Sequence, residues 1–189
     1  MWEKQLCVAA LFAAIMTTVY SACSSPCTPN NLYIQDFFNT TLPIWVLNST
    51  TTTMLGCKVD VPFYIAGSTI YFGRIYTERR TTIRRNLTGT ITTKEMDRIY
   101  IIEGRTCQQE QLVFMSYDRS CAVVKVTISN PRTSPYYELR VRNDSFSSEH
   151  LYECQVKYRS QKGEGHRVYA EDCQRILRPG CQVTSCYFG

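Results

Sequence analysis

The stretch "SPYYELRVRND", residues 134–144, carries the decision about the fold. Side chains alternate across a strand, so Tyr136, Glu138, Arg140 and Arg142 share one face and Tyr137, Leu139 and Val141 share the other. By hydrophobicity alone, Leu139 and Val141 turn to a core and both charges turn to water. A glycan acceptor triplet, Asn143-Asp-Ser, argues the reverse. Asn143 has the parity of Leu139 and Val141, and a glycan must face outward. If the charged face is the inner one, the sheet encloses a cavity, because a cavity accepts polar groups that a packed core does not.

Working back toward the N-terminus, the chain is rich in β-branched and aromatic residues with frequent turn punctuation. Strands are predicted near 44–48, 54–64, 68–77, 81–93, 98–103, 110–117, 121–129 and 135–142. Eight short antiparallel strands in a meander close into a barrel that leaves no open edge, with an interior wide enough for one small ligand. A two-sheet sandwich is the rival. The barrel is preferred because the strands run on directly and the chain then changes character. Before the strands, "NLYIQDFFNTT" (31–41) predicts one or two helical turns, with Asn30 or Asn31 as cap and Leu32, Phe37 and Phe38 on the apolar side. After them, "SFSSEHLYECQVKYRSQKG" (145–163) predicts a helix capped by Ser147 or Ser148 and stopped by Gly163. Leu151, Cys154 and Tyr158 share one face of it, which predicts a helix stapled to the sheet. A short strand, "HRVYAEDC" (166–173), and a cysteine-closed tail, "PGCQVTSC" (179–186), follow. The expected class is all-β with one C-terminal helix.

The sequence has 189 residues, which is one domain's worth. It opens with "MWEK", the apolar run "LCVAALFAAIM" and the small-residue stretch "TTVYSA", which reads as a secretory signal peptide over 1–21 and a mature domain over 22–189. Val19 and Ser21 suit the cleavage positions. The expected location is therefore extracellular, with no membrane span. Four acceptor triplets, at Asn39, Asn48, Asn86 and Asn143, agree with export. Of the ten cysteines, nine follow the signal, and in an oxidising compartment they read as a disulfide framework with one thiol left over. Cys181-x4-Cys186 with His166 is the weaker zinc alternative, lacking a tight Cys-x2-Cys pair.

The formal charge of +5 is modest. "GRIYTERRTTIRRN" gathers Arg74, Arg79, Arg80, Arg84 and Arg85. It is read either as a solvated hairpin or as an anion-binding patch for sulfated glycans or acidic lipid. Nucleic acid is not an expected partner, for want of any recognition motif. Nor is catalysis expected. The two histidines are His150 at a helix start and His166 in the turn "GEGHR". No nucleophile elbow, phosphate loop or metal-binding helix motif accompanies them. No cofactor or metal is expected.

Leader, eight strands, one stapled helix and a tail are a lipocalin ground plan. The chain resembles the salivary lipocalins of ticks, which include histamine-binding and leukotriene-scavenging proteins. The resemblance lies in "DFFNTTLPIWVLNSTTTTMLGCKVDV" (36–61), "YDRSCAVVKVTI" (117–128), "YYELRV" (136–141), "LYECQVKY" (151–158) and "VYAEDC" (168–173). It implies disulfides Cys57–Cys173 and Cys121–Cys154. It also implies sequestration of a host inflammatory mediator, a biogenic amine such as histamine or an anionic eicosanoid such as a leukotriene, in evasion of host defence. A lipocalin scaffold that inhibits a host plasma protein of complement or haemostasis is the alternative.

Amine-holding relatives look like Glu-Leu-Trp where this chain has Glu138-Leu139-Arg140. A carboxylate neutralises a buried ammonium and an indole adds cation–π attraction. Arg140 instead repels an amine and offers a bidentate fork to a carboxylate. If Asn86 faces out, Arg85, Leu87, Gly89 and Ile91 face in, adding a second inward arginine. Trp45, Asp118, Tyr136, Tyr100 and Phe114 complete the candidate ligand-binding set. Trp45 is expected chiefly to close the barrel floor, Asp118 serves equally as a turn residue, and Asp60 reads as a strand-end carboxylate.

Overall fold

The computed structural model describes residues 32–130 and 132–179, with the backbone alone at Lys162. The predicted signal segment and Cys23, Cys27, Cys181 and Cys186 lie outside the described residues. Helix α1 spans Ile34–Phe38 and is followed by β1 (Ile44–Ser49), β2 (Leu55–Ala66), β3 (Thr69–Glu78) and β4 (Thr81–Thr92). Then come β5 (Glu95–Glu103), β6 (Thr106–Met115), β7 (Cys121–Ile128) and β8 (Tyr136–Arg142). Helix α2 (Leu151–Lys162), the two-residue β9 (His166–Arg167) and a 3-10 helix (Glu171–Leu177) end the described chain.

Each strand from β2 to β8 pairs antiparallel with the next, and β1 pairs with both β8 and β2, so the sheet closes into an eight-stranded barrel. β1 divides its outer edge. Ile44 and Trp45 pair with Asp60 and Val59 of β2, while Asn48 and Ser49 pair with β9. β2 bulges at this divide between Gly56 and Val59, and Cys57 there adopts a left-handed φ of 51°. The predicted last strand over 166–173 is thus only two residues long. Beyond it the chain turns into the 3-10 helix that carries Cys173.

The antiparallel register gives the barrel a mouth and a floor. The β1–β2, β3–β4, β5–β6 and β7–β8 connections meet at the mouth. α1 enters at the opposite end, where Ile34, Phe37 and Phe38 are fully buried with Ile44, Ile70, Phe72, Ile99 and Leu112. Arg142 donates from Nη2 to the carbonyls of Asp36 and Phe37 and lies over the Phe37 ring, which fastens α1 across the opening. The floor is therefore plugged by α1, and the sequence expectation for Trp45 is corrected. Trp45 has the outward parity of β1. It packs edge-on to Tyr169 with centroids 5.1 Å apart, and its Nε1 donates to Asn143 Oδ1 at 2.8 Å.

β8 is buried on both sides. Leu139 and Val141 lie outside the barrel under α2, against Leu151, Cys154 and Tyr158, as the helix periodicity predicts. Glu138 and Arg140 point inward. An apolar face turned away from the barrel interior is possible because α2 covers it. The Cys121–Cys154 bond fixes α2 to β7, and Cys57–Cys173 ties β2 to the 3-10 helix. Among the described residues Cys107 carries a free thiol.

The Cys57–Cys173 bond spans 116 residues. Replacing both cysteines with alanine should lower the unfolding free energy by about 4 kcal/mol, because the open chain regains the loop's conformational entropy. Urea denaturation followed by circular dichroism reads this. A loss below about 1 kcal/mol would assign the attachment of the C-terminal segment to the Trp45–Tyr169 packing instead.

Candidate functional site

Four strands each place ionisable side chains on the inner face by simple alternation. β2 brings Lys58 and Asp60, β3 brings Arg74, β6 brings Glu110, and β8 brings Glu138 and Arg140; all six are buried. They form one continuous network. Lys58 Nζ lies 2.6 Å from Glu138 Oε1. Glu138 Oε2 accepts from Arg140 Nε and Nη2 at 2.9 and 2.6 Å. Arg140 Nη1 reaches Glu110 Oε2 at 2.7 Å and Asp60 Oδ2 at 3.3 Å. Arg74 completes it, donating from Nε to Asp60 Oδ1 at 2.7 Å and from Nη2 to Asp60 Oδ2 at 2.8 Å, and its Nη2 forms an ion pair with Glu110 Oε1 at 2.8 Å. Gln108 Nε2 adds a donor to Glu110.

Three cations and three carboxylates balance, which permits so much charge inside a barrel, since an unpaired buried ion is strongly unfavourable. The titration behaviour follows from this pairing. Burial alone pushes the Glu138 and Glu110 carboxyls up. Lys58 and Arg140 outweigh it at Glu138, Arg140 and Arg74 outweigh it at Glu110, and both end below the usual carboxylate range. Burial lowers the Lys58 ammonium; Glu138 offsets part of the effect while Arg74 and Arg140 add to it. Burial, reinforced by Glu138 and Glu110, raises Tyr136 and keeps it a neutral phenol.

Above the network, at the mouth, lies a cavity of about 570 Å³. The β1–β2 loop threonines Thr50–Thr53, Tyr76, Gln108, Ile128, the 132–135 loop and Tyr136 form its wall, and Glu103 joins the lining on β5. Lys58 and Arg74 are the network members that line it. Among the described residues Lys58 Nζ has one partner, Glu138, and two further N–H groups. Arg74 places Nε and Nη2 on carboxylates and makes no hydrogen bond from Nη1 among the described residues. The cavity thus meets the cationic side of a neutral network.

Of the residues singled out from sequence, Tyr136 lines this cavity. Glu138 and Arg140 face inward, but they lie beneath it. The expectation that Arg140 offers its fork to a ligand is corrected: Nε, Nη1 and Nη2 are all held by Glu138, Asp60 and Glu110. Arg85 has the inward parity predicted for it, yet β4 runs past the end of β5 there. Its side chain is exposed at the rim, 3.9 Å from Glu103. The other four, including Trp45 on the outer face of β1, stand away from the cavity. Tyr100 is on the outer side of β5, hydrogen-bonded to Glu95. Phe114 follows a bulge in β6 and packs with the cluster under α2. Asp118 is an exposed turn carboxylate accepting from the Ser120 N–H at 3.0 Å. Asn39 and Asn86 are exposed. Asn48 and Asn143 are half-buried, and Asn143 Oδ1 accepts from Gln174 as well as from Trp45.

The basic cluster read from sequence is divided between the barrel interior and the exposed β3–β4 hairpin. Arg74 is inside the barrel, Arg79 and Arg80 form the β3–β4 turn with positive φ, and Arg84 donates to the Ile176 carbonyl. Lys58 and Glu110 were missed altogether. The available signal was the charge pair Lys58-x-Asp60 in a β-branched strand, the mirror of Glu138-x-Arg140. Among the described residues no group of histidine, cysteine or carboxylate side chains is arranged to hold a metal.

No protein-family model matches the sequence, and no curated protein matches it significantly. Solved structures do match the fold. The siderocalin Ex-FABP, described as functioning through dual ligand specificities, superposes with a TM-score of 0.52 at 11% identity, over 66% of this chain and 87% of that one. Apocrustacyanin C2 gives 0.51 at 12% identity, over 73% and 76%. Japanin from Rhipicephalus appendiculatus, bound to cholesterol, superposes more loosely, at 0.48 and 11% identity over 71% and 96%. The first two likenesses establish the lipocalin fold, and at such identities the fold alone.

Removing one charge from the network should be far more damaging than removing one from the rim. Glu110→Gln leaves two guanidiniums short of a carboxylate and should destabilise the chain by about 3–5 kcal/mol. Glu103→Gln, at the exposed pair with Arg85, should cost no more than about 0.5 kcal/mol. Equal urea midpoints for the two variants would contradict the network's role. Acid provides a second check. Glu110 and Glu138 titrate lower when folded than the ordinary 4.5, so the unfolded chain binds more protons below that pH. The network's stabilisation is complete above pH 4.5 and is lost as pH falls through the folded values. The urea midpoint of the wild type should drop over that range, and more shallowly in Glu110→Gln.

Proposed function

We propose that the chain is an exported, non-enzymatic scavenger that holds a small anionic molecule with an apolar body in the mouth cavity. Lys58 and Arg74 take the acidic group, and Tyr136 donates its phenol beside them. The observation carrying this reading is the orientation of the network. Its carboxylates are turned onto guanidinium and ammonium groups, while spare N–H donors on Lys58 and Arg74 border the cavity. The volume falls in the range of pockets that enclose a drug-sized ligand. Leu55, Tyr76, Ile128 and Tyr136 offer apolar surface for the body.

A protonated amine fits poorly, since Glu138 is already shared by two cations, Lys58 and Arg74 face the cavity from the network, and the acidic lining residue, Glu103, is exposed at the rim beside Arg85. Of the two mediator classes that the tick-lipocalin resemblance implies, the anionic one agrees with this chain's charges. A carboxylate meets donors whose desolvation is already offset by the network. Export is supported by the two disulfides and by the leader sequence. Sequestration of a host mediator to blunt defence is the biological role that this binding would serve.

Titration with a long-chain unsaturated fatty acid, with 1-anilinonaphthalene-8-sulfonate and with histamine, read by fluorescence and native mass spectrometry, tests the proposal. The anions should bind saturably, and Lys58→Met should weaken them tenfold or more, about 1.4 kcal/mol. Saturable histamine binding with no anion binding would overturn it.

A further inference from the structure

A second concavity, of about 390 Å³, lies outside the barrel across β2, β3 and β4. Its wall is largely apolar, with Val61, Phe63, Ile75 and Leu177, and Arg84 beside it. Phe63 is 55% exposed, which is unusual for a phenylalanine in a strand. Its position has a cause. Gly73 of β3 presents no side chain, and a Cβ built there would meet Phe63 Cζ at 3.0 Å and Asn86 Oδ1 at 3.9 Å. The phenyl ring therefore lies across the vacant glycine site, and the Asn86 amide flanks the same point. Gly73 and Asn86 are register partners on the outward face, while Phe72 and Leu87 next to them face in. Asn86 begins an acceptor triplet, Asn86-Leu87-Thr88, and both Asn86 and Thr88 are exposed.

We infer that the first N-acetylglucosamine attached to Asn86 docks in this groove, with its apolar C–H face against the Phe63 ring. A sugar ring presents C–H groups on one side and hydroxyls at its edge. The negative face of an aromatic ring attracts the former, and Arg84, on the outward face, lines the groove to meet the latter. The glycan thus covers apolar surface that would otherwise stay in water, and it ties β2 to β4 across β3. The inference rests on the export reading but not on the identity of any cavity ligand.

The test uses the full chain secreted from eukaryotic cells. Peptide mass mapping should show Asn86 occupied. Thr88→Ala, which abolishes the acceptor, should lower Tm by about 2–4 °C. Trimming the glycan enzymatically to its first sugar should leave Tm unchanged. Phe63→Leu, which keeps apolar bulk without the ring, should lower Tm in the glycosylated chain and leave it nearly unchanged in the Thr88→Ala background. Proton NMR should show the first sugar's ring protons shifted upfield, and Phe63→Leu should abolish that shift. Additive effects of the two substitutions, or an unshifted sugar, would overturn the inference. So would an unoccupied Asn86; occupancy at other acceptors would then leave export intact, whereas none at any acceptor would count against export too. A Phe63→Leu effect that persists without the glycan but vanishes on truncation after Pro179 would assign the groove to the C-terminal segment instead.

Discussion

The mutual neutralisation of Lys58, Arg74 and Arg140 by Asp60, Glu110 and Glu138 is the constraint on which the interior depends. Six charges cross the barrel from β2, β3, β6 and β8, so the network acts as a brace between strands far apart in sequence. It also fixes the cavity's depth. Below it the space is filled by Phe72, Leu112 and the α1 residues Phe37 and Phe38. Above it the mouth loops enclose a volume with Lys58 and Arg74 in its lining. The barrel is thus hollow at one end only.

A brace of this kind is demanding. Each carboxylate is matched by bidentate or shared guanidinium contacts, and the loss of any one leaves a buried charge without its counterion. An apolar core of the same volume would be easier to stabilise. What the ion network adds is a polar surface held rigidly beneath the cavity, with donors already desolvated and oriented, the arrangement that lowers the cost of recognising an opposite charge. The two disulfides complement it from outside. One clamps α2 over the outer face of β7 and β8, and the other clamps the C-terminal segment over β2.

The barrel was legible in sequence because its strands are short, β-branched and separated by clear turns; the eight predicted ranges overlap the eight strands of the barrel, β1 to β8. The paradox of "YYELRV" was legible only in part. Alternation shows that Glu138 and Arg140 share a face, but the inward direction depends on α2 covering Leu139 and Val141, a tertiary contact that strand periodicity does not contain. Arg74 illustrates a second limit. In sequence it belongs to a run of arginines, yet strand alternation sends it inside while Arg84 points out and Arg79 and Arg80 turn the chain. Trp45 illustrates a third. A tryptophan near the first strand reads as a floor plug, but its parity opposite to Ile44 and Val46 places it outside, against Tyr169. Glu110, hidden among glutamines in "QQEQL", gains its meaning only from the two arginines that fold onto it.

The most direct measurement is the nitrogen-15 NMR signal of the Lys58 ammonium, followed while a fatty-acid carboxylate is added and, separately, histamine. A neutral network facing the cavity with its cations predicts that the Lys58 signal moves saturably with the carboxylate and stays in place with histamine. A Lys58 signal indifferent to the anion, with the Glu138 carboxyl carbon responding to histamine instead, would contradict the account.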